Sequence, residues 1–302
     1  MPKSIAATRR GRASGKALLL ALSLLLGVPA SCQSTGATTV KWQPFKLVNG
    51  SPVLFQIAAS ARVQSISASW LGHDLVFFHP ADGKLWYALA GVPVETTAGR
   101  YDLKIQEALA SGKPVEIRRT IKVASASYPR ITIQVAKQFT EPSPDQLHEV
   151  AADKDLKQKT FAVETPQRLW TGAFLSPVSA PVSDGFGTAR VINQEVKSRH
   201  LGTDFGVPTG TPVHAVNHGT VLLARPLFFE GNCVIIDHGQ GLMSLYLHLS
   251  EFRVKEGDEV VPGQLIGLSG GTGRATGPHL HLAIRWQGVY LDPAILLKMQ
   301  LP

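Results

Sequence analysis

The sequence is short of cysteine, of long apolar runs and of clustered charge. Its 302 residues include only two cysteines, which excludes a disulfide framework. The apolar run from Ala17 to Val28 is shorter than the ~20 residues that a membrane-spanning helix needs. Charged residues make up 17% of the chain and form no dense basic stripe beyond the N-terminus, so we expect no nucleic-acid partner.

The N-terminal segment holds most of the excess positive charge. Small residues follow its apolar run, and five basic residues precede it, namely Lys3, Arg9, Arg10, Arg12 and Lys16. This order predicts a secretory signal peptide over residues 1–31, and hence an exported protein of the periplasm, the cell envelope or the extracellular space. Without the segment, the formal net charge falls from +8 to near +3.

The two cysteines have different surroundings. Cys32 follows the apolar run at once, and Ala30 and Ser31 suit a lipoprotein signal, whereas Pro29 does not. Cleavage after Ala30 and lipid attachment at Cys32 therefore stay open as alternatives, and we expect membrane contact only through such a lipid. Cys233 lies in the apolar strand pattern NCVIIDHG, where we expect a small buried side chain.

Glycine and proline are abundant, with 28 and 20 residues, which favours turn-rich β structure. Seven short alternating runs follow one another between residues 40 and 140, separated by turn signals such as NG, DG and SG. They predict an immunoglobulin-like β-sandwich that serves as an accessory domain. The runs are SPVLFQIAA, VQSISASWLG, DLVFFHP, KLWYALAGVPV, GRYDLKIQEAL, VEIRRTIKVA and RITIQVA.

Residues 141–168 interrupt this rhythm. Ser143 can cap a helix, Pro144 suits the first turn, and Gln146 completes a capping box. Lysines come late in the segment, which complements the helix dipole. The pattern predicts a short, charged, exposed helix that links two domains.

Residues 169–302 return to β-type alternation. Runs such as GTVLLARPLFF and NCVIIDHG are joined by short turns, which predicts an antiparallel sheet. In LMSLYLHL, Tyr246 precedes His248 by two residues and would share its face of a regular strand, where it either lines a cleft or packs in the core. The glycine-rich SGGTGRATGPH lacks the Lys-Ser/Thr ending of a phosphate loop and suits a flexible wall on the substrate side.

Histidine and aspartate form two short patterns in this region. HLGTDF places His200 and Asp204 around Gly202, which disfavours a helix and suits a loop that enters a strand. PHLHLAIRW alternates like a strand, so His279 and His281 point to one face. Imidazoles with one carboxylate suit Zn²⁺, and three protein ligands leave a fourth position for water. Spacing alone does not say which histidine of the HxH pair binds the metal.

Together with YLHLS, these patterns resemble the lysostaphin/LytM-type zinc peptidases of bacterial cell walls. The resemblance covers about residues 177–293 and contains the HxxxD, HLS and HxH segments in that order. It implies one Zn²⁺ per chain in a peptidase domain over residues 169–302, with His200, Asp204 and His281 as ligands. It also implies catalytic roles for His248 and His279, which would face the metal-activated water and the developing oxyanion.

The resemblance implies a zinc metalloendopeptidase that hydrolyses peptide cross-links of peptidoglycan. Its partners would be the stem peptides and cross-links, and we expect a monomer. Some relatives have lost metal ligands and activate other wall hydrolases, so a non-catalytic wall-binding activator is the alternative, and a structural zinc or carbohydrate-carrying β module is a third. All five site positions are intact, which favours the enzyme. The bond that is cut and the division of roles between His248 and His279 stay open.

Overall fold

A computed structural model describes residues 38–302, apart from 61, 80–82, 84, 111 and 195. The predicted signal peptide over residues 1–31 and the alternative of a lipid at Cys32 lie outside the described residues. Among the helices of the described part, none is long and apolar enough to cross a membrane.

Strands dominate the described residues, which confirms the predicted mostly β class. Helical structure in this part of the chain is limited to α1 (Pro144–Phe161), α2 (Pro293–Leu296) and a 3₁₀ turn at Lys137–Phe139. The strands are β1 (Thr39–Gln43), β2 (Leu47–Val48), β3 (Pro52–Ala58), β4 (Val63–Trp70), β5 (His73–Leu75), β6 (Trp86–Gly91), β7 (Gly99–Leu109), β8 (Pro114–Ala124), β9 (Arg130–Ile133), β10 (Val182–Asp184), β11 (Ala189–Ile192), β12 (Val196–Arg199), β13 (Thr203–Phe205), β14 (Pro212–His214), β15 (Gly219–Leu227), β16 (Gly231–Asp237), β17 (Leu242–Leu249), β18 (Glu251–Phe252), β19 (Glu259–Val260), β20 (Leu265–Leu268), β21 (Leu280–Trp286) and β22 (Val289–Leu291).

The first eight strands form two sheets. One has the order β1-β3-β6 and the other the order β2-β8-β7-β4-β5. Each of the seven predicted runs overlaps a strand, whereas β1 and β2 were not predicted. Alternation explains why these segments are strands: in β7, Leu103 and Ile105 are buried while Asp102 and Lys104 are exposed.

Strand β9 departs from the predicted sandwich. RITIQVA is predicted as its last strand, and this is wrong, because β9 pairs in parallel with β11, placing Arg130 opposite Ala189 and Ile133 opposite Ile192. Antiparallel β12 completes this three-stranded sheet. Local alternation looks the same whichever sheet a strand joins, so the sequence pattern could not assign the partner.

Helix α1 begins as predicted, with both hydrogen bonds of a capping box between Ser143 and Gln146. It is more than an exposed linker, however. Leu156 and Phe161 pack on the apolar cluster of the C-terminal sheet, and Lys157 forms an ion pair with the glutamate that precedes β16. The helix therefore supports that sheet, a role that its weakly amphipathic sequence does not indicate.

The C-terminal region is built on a sheet with the order β10-β13-β21-β17-β16-β15-β19, and β22 pairs with β21. Its neighbouring strands are antiparallel, as predicted. One side, called the core face, shares a hydrophobic core with the N-terminal sheets: Leu282 points into it, and Trp286 lies 5.0 Å from His73 between ring centroids. The other side, called the site face, carries a second apolar cluster that includes Ala283. A separate three-stranded sheet with the order β14-β20-β18 packs on the same core through Val213 and Ile266, and residues 38–302 belong to one compact unit.

A β-bulge in β17 decides which side chains reach the site face. Leu247 and His248 together oppose the single residue Cys233 of β16, and His248 has a φ of 63°. Tyr246 is fully buried in the core, whereas His248 lines a cavity on the site face. Tyr246 therefore packs in the core and does not line the cleft, because regular alternation ends at the bulge. Cys233 is fully buried, as expected.

Candidate metal centre and cleft

One strand pair brings the HxxxD and HxH patterns together. His200 lies in the loop between β12 and β13, and Asp204 in β13 is directly opposite His281 in β21. Gly202 permits this approach, since a Cβ there would lie 2.4 Å from Nε2 of His281 and 2.5 Å from the carbonyl oxygen of Leu282. The predicted loop that enters a strand is therefore present, and its glycine is required by close packing.

Three side-chain atoms converge on one point. Nε2 of His200 lies 3.0 Å from Oδ1 of Asp204 and 2.9 Å from Nδ1 of His281, and the last two atoms are 2.7 Å apart. All three residues are almost inaccessible to solvent. In a tetrahedral Zn²⁺ site with nitrogen and oxygen ligands, neighbouring ligand atoms lie about 3.3 Å apart. The cluster therefore fits this ion after a small outward shift of the three side chains.

The protonation of the cluster follows from its neighbours. Nδ1 of His200 donates to the carbonyl oxygen of Gly185 at 2.9 Å, so Nε2 of the neutral ring carries a lone pair. Burial lowers the pKa of His281, which favours its neutral form. Burial alone would raise the pKa of Asp204, but hydrogen bonds with the rings of His200 and His281 hold it well below its usual range, so its carboxyl is ionised. An ionised carboxylate oxygen and two imidazole nitrogens thus converge on one point, where a cation would take the place of the protons in these hydrogen bonds.

His248 and His279 lie beside the cluster, with ring centroids 4.8 Å apart. Nδ1 of His248 donates to the carbonyl oxygen of Thr272, and Nδ1 of His279 to that of Gly277, both at 2.8 Å. In the neutral rings, Nε2 therefore carries the lone pair, and Nε2 of His279 lies 3.8 Å from Oδ1 of Asp204. Burial lowers the pKa of His248 to about 3, so this ring is neutral at physiological pH.

Arg190 and Asp184 support the cluster, and sequence reasoning missed both. A terminal guanidinium nitrogen of Arg190 lies 2.7 Å from Oδ2 of Asp204, and the same side chain forms an ion pair with Asp184. Asp204 is therefore held with Oδ1 toward the histidines. Such outer contacts orient metal ligands. The available signal was a pair of opposite charges around the glycines of SDGFGTAR, in a chain with few charges.

Two cavities meet at the cluster. One, of about 230 Å³, is bordered by His200 and His281, and the other, of about 350 Å³, by Asp204 and His279. The two cavities share lining residues and adjoin at the candidate metal centre; they are called the cleft below, and strand β9 contributes to both walls. The residues common to both walls are Ile133, Arg190, His248 and Arg274.

A second group of buried polar side chains belongs to the core face of the same sheet. The N–H of Val216 donates to Oη of Tyr246 at 2.9 Å, Oη lies 3.1 Å from Oγ of Ser244, and Oγ lies 2.7 Å from Nε2 of His238. Nδ1 of His238 donates to the carbonyl oxygen of His218 at 2.6 Å. This chain of hydrogen bonds is continuous, which supports a structural role for His238.

Two imidazoles and one carboxylate that converge in a cleft, with two more imidazoles beside them, define a candidate catalytic zinc centre. Residues 198–293 match the family model described as Peptidase family M23, so the chain carries an M23 peptidase domain. All five predicted site residues fall within the matched segment.

Curated relatives match over about a third of this chain. Peptidoglycan DD-endopeptidase ShyA of Vibrio cholerae serotype O1 is 48% identical over 103 residues, which are 34% of this chain and 23% of that protein. Peptidoglycan DD-endopeptidase ShyC of the same organism is 41% identical over 114 residues, 37% of this chain and 26% of that protein. DD-carboxypeptidase/endopeptidase Mpg of Neisseria meningitidis serogroup B is 44% identical over 94 residues, 31% of this chain and 22% of that protein. The matches thus span about a quarter of the length of these relatives.

A solved structure resembles more of the chain. The crystal structure of a Pseudomonas aeruginosa protein assigned to peptidase M23 has a TM-score of 0.63 and 28% identity, and it covers 83% of this chain and 95% of that one. The likeness therefore extends well beyond residues 198–293.

Proposed function

We propose that the chain is a zinc metalloendopeptidase that hydrolyses peptide cross-links of peptidoglycan. The observation that carries this proposal is the convergence of His200, Asp204 and His281 in a cleft, with the Nε2 lone pairs of His248 and His279 beside them. Three ligands leave an open coordination position, which is the pattern of a catalytic rather than a structural zinc centre.

The names of the relatives support the substrate class. Two matched proteins are described as peptidoglycan DD-endopeptidases and a third as a DD-carboxypeptidase/endopeptidase. The matches span about a quarter of each relative, so the names alone do not assign an activity to this chain. The activity is proposed because the chain has the site residues described above. We therefore infer that cross-linked stem peptides are its substrate.

The proposed mechanism assigns the ligand atoms first. Nε2 of His200, Oδ1 of Asp204 and Nδ1 of His281 would hold Zn²⁺, and Arg190 would keep Asp204 oriented through Oδ2. The ion, when bound, supplies Lewis-acid chemistry that lowers the pKa of a water and polarises a scissile carbonyl. The buried setting of the three ligands strengthens electrostatic interactions at the reacting atoms.

His248 and His279 provide the proton chemistry in this proposal. The backbone carbonyls that bind their Nδ1–H groups fix the rings so that Nε2 can accept a proton from the attacking water. The protonated nitrogen can then donate to the departing amine or to the developing oxyanion. Because burial keeps His248 neutral, its Nε2 begins the reaction as an acceptor.

The organisation of the whole chain is part of the same proposal. We propose export through a signal peptide at residues 1–31 to the cell envelope, and action as a monomer. Residues 169–302 would form the lysostaphin-type peptidase domain, 141–168 the helical connection and 40–140 the immunoglobulin-like accessory domain. The two N-terminal sheets support a sandwich, although β9 belongs to the wall of the cleft.

The proposal is tested with purified cross-linked peptidoglycan. The zinc-loaded mature chain is incubated with it, beside His281→Ala and the matched control His148→Ala, which changes an exposed histidine of α1. Released fragments are followed by mass spectrometry. We expect the wild type and His148→Ala to convert cross-linked dimers to monomers, and His281→Ala to leave them intact.

The opposite result would replace the enzyme by its alternative. If zinc binds stoichiometrically and no cross-link is cut, a non-catalytic wall-binding activator becomes the better function. That function is then tested by adding the chain to a separate wall hydrolase and measuring the rate of fragment release.

A further inference from the structure

Arg274 lies in the glycine-rich loop at the junction of the two cavities. Its backbone N–H donates to the carbonyl oxygen of Phe229 at 2.9 Å, and its guanidinium carbon lies 4.8 Å from the centroid of the Phe229 ring. The loop beside it is also fixed by two hydrogen bonds of Thr272. Its carbonyl oxygen accepts from Nδ1 of His248, and its hydroxyl donates to the carbonyl oxygen of Leu249. Arg274 therefore lines both cavities, and its backbone and guanidinium are both held against Phe229.

The other cations that line these cavities have partners. Arg190 bridges Asp184 and Asp204, and Lys157 is paired with Glu230. The guanidinium of Arg274, by contrast, has no hydrogen bond or ion pair with any residue of the described part of the chain. An arginine fork with unused donors is well matched to a carboxylate, which it can bind through two parallel hydrogen bonds.

Partial burial adds a physical reason for a bound anion. Burial lowers the pKa of Arg274, which reflects the cost of removing a charge from water. Arginine nevertheless stays charged in proteins, and the nearby carboxylate of Glu230 offsets only part of this cost. A substrate carboxylate in the cleft would offset the cost of burying the guanidinium charge, whereas a neutral amide would not.

We propose that Arg274 binds a carboxylate of the substrate next to the scissile bond, and thereby selects cross-links that carry one. The proposal rests on the proposed function and deepens it. A D-alanyl–diaminopimelate cross-link bears a free carboxylate on the residue whose amino group is released, whereas the interior of a glycine bridge bears none. The chain would therefore prefer diaminopimelate cross-links to glycine bridges.

The test compares three soluble cross-linked peptides that contain the same scissile bond. One has all carboxylates free, one has the diaminopimelate carboxylate beside the bond amidated, and one has only the terminal carboxylates amidated. For the wild type, we expect amidation of the diaminopimelate carboxylate beside the bond to lower kcat/KM about 10- to 100-fold, the range of a charge-assisted hydrogen bond. If terminal amidation causes the loss instead, Arg274 does not bind the proposed carboxylate.

Variants assign the selectivity to the residue. Arg274→Gln should cleave the free and the amidated peptide with nearly equal kcat/KM, and Arg274→Lys should keep part of the preference through its charge. Arg253→Gln is the matched control, since Arg253 is exposed and pairs only with Glu251 in the described part of the chain. It should discriminate like the wild type. Thermal unfolding of each variant checks that the fold is retained.

The outcomes separate this inference from the proposed function. If the zinc-loaded wild type cuts no peptide, the proposed function fails. If it cuts free and amidated peptides equally well, the function stands and the role of Arg274 is overturned. Undiminished discrimination by a folded Arg274→Gln overturns it as well. If Arg274→Gln does not fold, the wild-type ratio and Arg274→Lys decide.

Discussion

Two groups of buried histidines lie on opposite faces of the C-terminal sheet, and they are built differently. On the core face, Nε2 of His238 lies 2.7 Å from the hydroxyl of Ser244, a group that can donate as well as accept, and Nδ1 donates to a carbonyl oxygen. On the site face, Nε2 of His200 faces a carboxylate oxygen and another imidazole nitrogen. Burial is similar in both groups, but only the core-face group contains hydroxyls.

The difference separates a structural histidine from a candidate ligand. A buried imidazole with a hydroxyl donor and a carbonyl acceptor is fully satisfied as a neutral ring. Imidazoles whose lone pairs converge with that of a carboxylate need a cation instead. Burial and residue type alone do not distinguish these cases, whereas the partner of each nitrogen does.

The largest expected effect comes from substituting one histidine on each face and comparing the two variants. His281→Ala removes one of three ligands, so we expect zinc binding to be lost and kcat/KM to fall more than about a thousandfold. His238→Gln should leave zinc stoichiometry unchanged. Equilibrium zinc titration and kinetics on a cross-linked peptide measure both. Stoichiometric, tight zinc binding by His281→Ala would contradict the ligand assignment.

A smaller effect is expected when the ligands stay and their packing changes. Gly202→Ala places a methyl group against the ring of His281 and the carbonyl oxygen of Leu282, so the ring must shift. We expect zinc affinity to fall about 10- to 100-fold, as for lost outer-shell support. Gly185→Ala is the matched control, because a Cβ there meets open space beside the same cluster. Equal zinc affinities for the two variants would show that the close approach does not matter.

The core-face group should be visible in the pH dependence of stability. Burial lowers the pKa of His238 to about 4, below the 6.5 of an unfolded histidine. Below pH 6.5, the unfolded chain binds a proton that the folded chain does not, so the free energy of unfolding decreases as the pH falls toward 4. Between pH 7 and 5, His238 should account for about 2 kcal/mol of this decrease.

His238→Gln isolates that contribution. Urea unfolding of the zinc-free wild type and of this variant is compared at pH 7 and 5, so that the other histidines contribute equally to both. We expect a shallower pH dependence for the variant. Identical slopes would mean that His238 titrates in the folded chain as it does in the unfolded one.

The smallest effect is expected from Tyr246→Phe. It removes the hydroxyl that accepts from Val216 and contacts Ser244, while the buried ring is kept. We expect the free energy of unfolding to fall by about 1 kcal/mol and zinc affinity to stay unchanged. Unfolding curves and a zinc titration measure the two quantities. A marked loss of zinc affinity would show that the two faces are coupled through β17.

Much of the site was predictable because its signals are local. The spacing of HxxxD and HxH named His200, Asp204, His279 and His281, and alternation assigned the strands that carry them. Their meeting depends on the pairing of β13 with β21, which no spacing indicates; the resemblance to a known family implied the ligand set but not this pairing. Arg190 was missed, because its role depends on a salt bridge to Asp204 that no spacing indicates.

The errors in the fold have a common cause, which is non-local pairing. Alternation located RITIQVA as a strand but could not assign it to β11 rather than to the sandwich. A capping box located the start of α1 but not its packing through Leu156 and Phe161. Tyr246 was placed on the face of His248 by a regular pleat, which the bulge in β17 interrupts. Local rules therefore find the elements, whereas tertiary contacts decide what they touch.

The extra residue in β17 acts like a frameshift in the two-residue pattern of a strand. If the same residues paired regularly, with Leu247 opposite Cys233 and His248 opposite Asn232, the imidazole of His248 would point toward the hydrophobic core and leave the cleft without it. The HLS segment would read the same letter for letter in such a chain. The pairing of this strand is therefore as informative about function as the histidine itself.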